Sequence, residues 1–183
     1  MTRRWIVTAL GKDRPGIVAG VTQGLYRLGC NLEDSAMTRL EGEFAVMLIF
    51  SAPGRLTEAA LRRAFGPLER RLELVVHLKS LTRQETRVPS GRGRDYTISV
   101  YGADHPGIVF RVSEALARLR INITDVETHR SARRRRPGSL YLMLLRVEAP
   151  RRLRPDALER RLKALGRSLG VEVSLRSADA AVL

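Results

Sequence analysis

The sequence contains a single cysteine and no long apolar run. Cys30 has no second cysteine with which to form an internal disulfide, which agrees with a reducing compartment. No apolar stretch approaches the roughly 18 residues of a membrane-spanning helix, and the apolar segment after Arg3 and Arg4 is too brief for a signal peptide. We therefore expect a cytoplasmic protein without a membrane partner.

The motifs of several common kinds of catalysis and cofactor binding are also missing. The chain has no P-loop, no dinucleotide fingerprint and no nucleophile elbow. His77, His105 and His129 lack metal-ligand spacing and have no cysteine pair beside them. Cys30 is expected to be a small buried hydrophobe. The sequence therefore predicts a protein that is not an enzyme and has no cofactor or metal.

Lysine is scarce, since only three of the 33 basic residues are lysines. Against 19 acidic residues the formal net charge is +14. A strongly basic surface favours phosphate neutralisation, so nucleic-acid binding is one alternative function. The arginines are nevertheless spread along the chain, apart from one dense run at Arg133–Arg136. We therefore do not expect direct nucleic-acid binding to be the primary role.

The chain does contain an internal repeat. GKDRPGIV at residues 11–18 returns as GADHPGIV at residues 102–109, with six of eight letters unchanged at an offset of 91. Asn31 and Asn122 are related by the same offset. A repeat of this length indicates two copies of one small domain.

The two copies set the predicted domain boundaries. We predict a first domain at 1–82 and a second at 95–178, each near the lower size limit for an independent core. The segment 83–94 is polar, contains glycine and proline and lacks apolar periodicity, which predicts a linker.

Within each copy the apolar periodicity follows the order strand, helix, strand, strand, helix, strand. In the first copy we predict strands at 4–10, 32–40, 43–51 and 73–81 and helices at 15–28 and 56–71. In the second copy we predict strands at 96–102, 121–129, 139–147 and 171–177 and helices at 106–120 and 155–168. This repeated βαββαβ order predicts an α+β protein of two ferredoxin-like domains.

Single residues refine these elements. Pro15 suits the first turn of a helix, Gly29 suits its C-terminal stop, and Gly66-Pro67 is expected to bend or interrupt the second helix. A short turn at Glu41-Gly42 is expected to join the middle strands. The residues expected to face the core are Ile17, Val18, Val21, Leu25 and Leu28, their counterparts Ile108, Val109, Val112, Leu116 and Leu119, and Met37, Met47 and Met143.

The repeated segment places a carboxylate, a proline and a glycine where a strand ends and a helix begins. Gly16 has no side chain to block the free N–H groups of the first helical turn, and those groups favour a carboxylate or phosphate. Asp13 either caps the helix or faces an ammonium group. Asn31 offers an amide donor and acceptor, or it satisfies backbone groups at a strand edge. Together these groups suit an α-amino acid.

The G-x-D-x-P-G-I-V segment, the βαββαβ order and the asparagine at the second strand resemble the ACT domain, a regulatory amino-acid-binding module. Two such domains with nothing else attached are similar to the glycine cleavage system transcriptional repressor family. The resemblance implies glycine or another small amino acid as the ligand, bound at domain interfaces. It also implies repression through a transcriptional activator protein. The family's ligand positions fall on Asp13, Pro15, Gly16, Ile17, Val18 and Asn31, and on Asp104, Pro106, Gly107, Ile108, Val109 and Asn122.

The arginine-rich hairpin and the high basic charge lie outside this resemblance. The hairpin at 130–138 is about six residues longer than its counterpart and carries the Arg133–Arg136 run, which suits either a solvated loop tip or a contact for an acidic surface or for phosphates. The sequence also leaves the identity of the protein partner open. A second alternative function is that of a regulatory subunit that acts in trans on an amino-acid metabolic enzyme. The sequence leaves a homodimer open as well.

Overall fold

The computed structural model describes residues 2–82, 93–132 and 139–178. It divides into two compact units, residues 1–88 and 89–183. The run Arg133–Arg136 and residues 83–92 of the predicted linker lie outside the described residues. Gly93 and Arg94, which we assigned to the linker, already belong to a strand. The domain limits themselves stay a prediction.

Each unit has the βαββαβ order that the sequence predicts. The first contains β1 (Thr2–Lys12), α1 (Ile17–Arg27), β2 (Asn31–Leu40), β3 (Glu43–Pro53), α2 (Glu58–Leu72) and β4 (Val75–Leu81). The second contains β5 (Gly93–Ala103), α3 (Ile108–Arg118), β6 (Asn122–Ala132), β7 (Ser139–Pro150), α4 (Pro155–Leu169) and β8 (Val171–Ser177). The sheets have the orders β2-β3-β1-β4 and β6-β7-β5-β8, with antiparallel neighbours throughout. The predicted α+β, ferredoxin-like fold is confirmed.

Alternation along the strands builds a separate core in each unit. In β1 the side chains of Trp5, Val7 and Ala9 are buried, and the residues between them are on the other face of the sheet. The helices cover the buried face with one apolar stripe each, such as Ile17, Val21 and Leu25 on α1. Fully burying a side chain of this size contributes about 1.5–3 kcal/mol. None of the helices in the described ranges is long and apolar enough to span a membrane.

Four of the residues assigned to the core are exposed, and two more, Leu28 and Leu119, are only partly buried. Val18 and Val109 follow the buried isoleucines by one position, which turns them about 100° away from the core-facing stripe, and they are 43% and 45% exposed. Met37 and Met47 are 61% and 50% exposed. Met37 is on β2, an edge strand whose ten residues are all exposed, whereas Met47 alternates with buried Val46 and Leu48. Met143 is fully buried, as predicted.

Pro15 does not lie in the first turn of α1, and the interruption predicted for α2 at Gly66-Pro67 is wrong. Pro15 precedes α1 by two residues, and the residue that caps the helix is Gly16. The helix α2 is not interrupted and runs through Pro67. Gly66 removes one obstacle to this continuity, because it has no Cβ to clash with the proline ring that follows it.

The predicted stop at Gly29 and the turn at Glu41-Gly42 are confirmed. Gly29 has a left-handed backbone with φ of 69°, and its N–H bonds to the Tyr26 carbonyl while that of Cys30 bonds to the Leu25 carbonyl. This pair of bonds is a Schellman motif. Glu41 and Gly42 both have positive φ, 47° and 88°, as a two-residue type I′ hairpin requires.

Candidate functional site

The repeated strand-to-helix junction has the same backbone in both units. Gly16 and Gly107 have φ of 95° and 97°, a left-handed conformation that favours glycine. The space that a Cβ would occupy on either residue is open, with no atom within 4 Å. The backbone conformation therefore favours glycine at these two positions, a reason that we did not predict from the sequence. The predicted access to the N–H groups of the first helical turn is present, because the space beside each glycine is open.

The first turns of α1 and α3 keep their N–H groups free of side-chain caps. The first helical bond of α1 runs from the Gly20 N–H to the Gly16 carbonyl, at 2.8 Å, so the N–H groups before Gly20 have no acceptor within the helix. Neither helix has a capping hydrogen bond from a side chain. The alternative that Asp13 caps the helix is therefore wrong.

Asp13 instead connects the junction to the β2–β3 hairpin. Its N–H donates to the Gly42 carbonyl at 2.8 Å, and Arg39 Nη1 donates to Asp13 Oδ2 at 3.1 Å. The side chain of Asp13 is 33% exposed. Its second carboxylate oxygen has no partner among the described residues, so Asp13 can still accept a hydrogen bond from a ligand.

Asp104 repeats this arrangement in the second unit. Its N–H donates to the Ser139 carbonyl at 3.0 Å, Ser139 Oγ donates to Asp104 Oδ2 at 3.0 Å, and Arg130 Nη1 lies 3.6 Å from the same oxygen. Arg39 and Arg130 are themselves related by the offset of 91. Applying the offset to the whole chain, beyond the repeated segment, would have identified both arginines.

The residue after each aspartate reaches the C-terminal end of the second helix of its unit. Arg14 Nη2 lies 2.6 Å from Glu73 Oε2, where α2 ends. His105 Nε2 lies 2.8 Å from the Leu169 carbonyl at the end of α4, and its Nδ1 lies 3.1 Å from the Pro106 carbonyl. The hydrogen bond to the Pro106 carbonyl has the larger effect on the pKa of His105 and raises it. The hydrogen bond to the Leu169 carbonyl raises it further. Both side chains therefore have a structural role in holding the junction.

Asn31 and Asn122 lie at the opposite end of the sheet from the junctions. Asn31 is paired with Ser51 of β3, whereas Lys12, which precedes Asp13, is paired with Glu43. Glu43 and Ser51 are eight steps apart along β3, which corresponds to about 26 Å at about 3.3 Å per residue. The second unit has the same separation, because Asn122 pairs with Glu148 and Ala103 with Leu140. One unit therefore does not bring its asparagine to its own junction.

The other predicted site residues divide into two groups. Ile17 and Ile108 are buried in the cores at 1% and 2% exposure, so their side chains are structural. Val18 and Val109 are exposed beside the free N–H groups, and Phe110, which the sequence analysis did not select, is 64% exposed next to Val109. Val18 and Val109 give their junctions an apolar border that a ligand or partner can cover, and Phe110, whose counterpart is Ala19, extends it in the second unit.

The asparagine ends differ from the junctions in their surroundings. Neither asparagine side chain has a hydrogen bond with a described residue. A cavity of about 450 Å³ lies beside Asn122.

Cys30, next to Asn31, is half-buried, and burial raises the pKa of its thiol, which disfavours a reactive thiolate. In the described ranges no group of three or more His, Cys, Asp or Glu side chains is arranged to hold a metal ion.

Comparison with known proteins gives matches over both units. Models of the ACT domain match residues 3–79 and residues 96–167. The glycine cleavage system transcriptional repressor of Escherichia coli is 28% identical over 173 residues, covering 93% of this chain and 87% of the relative. A structure of an unknown protein from Galdieria sulphuraria has a TM-score of 0.80 at 26% identity, covering 97% of this chain and 99% of that one. A structure of a candidate glycine cleavage system transcriptional repressor has a TM-score of 0.68 at 19% identity, covering 96% of this chain and 97% of the other.

Proposed function

Because this chain belongs to the ACT-domain family, with one ACT domain in each unit, we propose that it is an amino-acid sensor that represses transcription of glycine cleavage genes in the cytoplasm. The observation that carries the proposal is the duplicated junction, with free N–H groups beside an accessible carboxylate. The proposed ligand is a small amino acid, with glycine as the first candidate. The proposed partner is a transcriptional activator protein, which this chain contacts in order to repress transcription.

The junction has the complementary groups that a zwitterion needs. The free N–H groups at the start of α1 and the positive end of the helix dipole favour a carboxylate. The partly exposed Asp13 has one oxygen free to accept a hydrogen bond from an ammonium group. Asp104 offers the same chemistry in a more crowded setting, because Ser139 and Arg130 both approach its Oδ2. We therefore expect the first junction to bind more tightly than the second.

The separation of about 26 Å between junction and asparagine limits how a ligand can use both. An amino acid is far smaller than this distance, so Asn31 cannot contact a ligand that occupies the junction of its own domain. A site that uses both groups needs the asparagine of another ACT domain, in this chain or in a second copy. Binding would then favour one arrangement of domains, provided that the ligand has different affinities for the alternatives.

Titration calorimetry of the purified chain with single amino acids, glycine first, tests the sensor. Loss of a hydrogen bond to a charged group costs about 1.5–3 kcal/mol, so Asp13→Ala should weaken binding by about tenfold or more. Asp95→Ala, which removes an exposed carboxylate from β5, is the matched control and should bind as the wild type does. The Asp13–Arg39 pair is exposed, so Asp13→Ala should change the free energy of unfolding by less than about 1 kcal/mol. Failure of every small amino acid to bind the wild type contradicts the proposal.

The similarity to the Escherichia coli repressor over most of both chains supports a role in transcription. Affinity capture with the tagged chain, in the presence and absence of the bound amino acid, tests the partner. Recovery of a transcriptional activator in an amino-acid-dependent manner supports the proposal. Recovery of an amino-acid metabolic enzyme in its place would favour the regulatory-subunit alternative.

A further inference from the structure

The cavity of about 450 Å³ beside Asn122 is lined by three arginines. Arg120 lies just beyond the end of α3, and Arg151 and Arg152 form the turn between β7 and α4. We propose that this cavity, the arginine pocket, binds a small molecule that carries a phosphate group. This inference rests on the proposed function in one respect, because Asn122 lines the arginine pocket and is also one of the residues of the proposed amino-acid site.

The three guanidinium groups have no acidic partner among the described residues. The carboxylate that lines the pocket, Glu148, accepts a hydrogen bond from the Gly93 N–H at 3.0 Å. Gly93 permits this contact, because a Cβ there would lie 2.2 Å from the Glu148 side chain. Three arginines that line one pocket and form no ion pair with a described carboxylate suit an external oxyanion, since guanidinium groups bind phosphate and carboxylate through paired hydrogen bonds.

The first unit lacks most of these arginines, so they are not part of the shared framework of the domain. Gly29 is the counterpart of Arg120 at the offset of 91. Because Pro53 and Pro150 end the equivalent strands β3 and β7, Gly54 is the counterpart of Arg151 and Arg55 that of Arg152.

Arg120 also has a backbone conformation that does not suit it. Its φ is 56°, in the left-handed region, where a residue other than glycine is disfavoured. The second unit therefore has an arginine where glycine would fold with less strain. Conformational strain of this kind is concentrated at functional positions, and here the strained residue contributes one of the three cations of the pocket.

The pocket favours a compact anion. Its volume is in the range of small-molecule sites, and the Asn122 amide adds a donor and an acceptor for a neutral part of the ligand. Three arginines and one carboxylate give the lining a net charge of +2, three minus one, which favours a group with two negative charges, such as a phosphate, over a single carboxylate. Nucleic acid would use the same phosphate chemistry, but it would also contact basic residues outside the pocket.

Titration of the full chain with inorganic phosphate and with pyrophosphate, at constant ionic strength, tests the pocket. The double variant Arg120→Gly/Arg151→Gly restores the residues of the first unit and should weaken phosphate binding by about tenfold or more, because each charged hydrogen bond contributes substantially. The control Arg160→Gln/Arg176→Gln removes the same charge from exposed positions outside the pocket and should change the affinity by less than about twofold. Circular dichroism should show that both variants are folded.

Three results would overturn the inference: no phosphate or pyrophosphate binding by the wild type, an equal loss in the control variant, or oligonucleotide binding that exceeds pyrophosphate binding and is insensitive to the pocket variant. A glycine titration of the same proteins separates the two proposals. If the chain binds phosphate but no amino acid, the proposed pocket is supported and the proposed sensor function is contradicted. If it binds an amino acid but no phosphate, only the proposed pocket is contradicted.

Discussion

At the scale of single residues, His105 shows how the junction is held in place. Its two ring nitrogens face two carbonyl oxygens, those of Pro106 and Leu169. Since a carbonyl oxygen only accepts hydrogen bonds, both nitrogens can donate only when the ring is protonated. The Leu169 carbonyl also belongs to the last turn of α4, where the helix dipole favours a positive charge. These contacts explain why the pKa of His105 is raised.

The raised pKa predicts that stability depends on pH. The contribution of His105 is fully present below about pH 6.5, the usual pKa of an unfolded histidine. It is lost as the pH rises through the folded-state pKa, which lies above that value. Urea unfolding of the wild type should therefore give a lower free energy of unfolding on the alkaline side of this range. His105→Gln, which stays neutral, should remove this part of the slope, and a slope unchanged in the variant would assign it to another group.

At the scale of elements, α1 and α3 end in the same motif with different residues. In the second unit the Arg120 N–H bonds to the Ala117 carbonyl and the Ile121 N–H to the Leu116 carbonyl, which repeats the bonds made by Gly29 and Cys30. Gly29 fits the left-handed position without strain, and Arg120 does not. The repeat therefore preserves the hydrogen bonds of the helix end and not the residue best suited to make them.

An exchange of these two residues should move stability in opposite directions. The left-handed conformation costs a residue other than glycine about 1 kcal/mol. Arg120→Gly should therefore raise the free energy of unfolding by up to about 1 kcal/mol, and Gly29→Arg should lower it by a similar amount. Urea unfolding followed by circular dichroism measures both. If Arg120→Gly destabilises the protein, then the arginine side chain makes contacts that outweigh its backbone strain.

Periodicity predicted every element of the fold but not which apolar side chains are buried. Helix spacing places Ile17, Val21 and Leu25 correctly, because one face of a helix packs on one face of a sheet. It failed for Val18, where the stripe is narrower than the sequence suggests. It also failed for Met37, because a sequence does not show which strand will be at the edge of a sheet. The interruption predicted at Pro67 is wrong: proline disfavours a helix interior, but the buried Phe65 and Leu68 on either side of it keep α2 packed on the core.

At the scale of the whole molecule, the repeat predicted which residues are equivalent in the two units, but it did not predict where in each unit they lie. The offset of 91 paired Asp13 with Asp104 and Asn31 with Asn122. We expected each aspartate to share a site with the asparagine of its own copy, whereas the sheet register places them at opposite ends. Register depends on pairing between strands distant in sequence, which a single chain without its fold does not reveal.

Each unit closes its own core, and this leads to a prediction about the isolated first unit. Among the described residues, sixteen buried side chains, including Trp5, Phe50 and Phe65, form the first core, and a separate set of sixteen forms the second. A fragment of residues 1–88 should therefore fold alone, although its size is near the lower limit for an independent domain. The single tryptophan, Trp5, is 3% exposed, so its fluorescence reports the state of this core directly.

In the folded fragment, Trp5 emission should be blue-shifted, as expected for a buried indole, and it should change in one cooperative transition with urea. The transition should coincide with the loss of helical circular dichroism, because α1 and α2 pack on the same core. The fragment 89–183, which lacks tryptophan, should also unfold cooperatively by circular dichroism. A fragment 1–88 with solvent-exposed Trp5 in the absence of urea would show that the first ACT domain depends on the second for its stability.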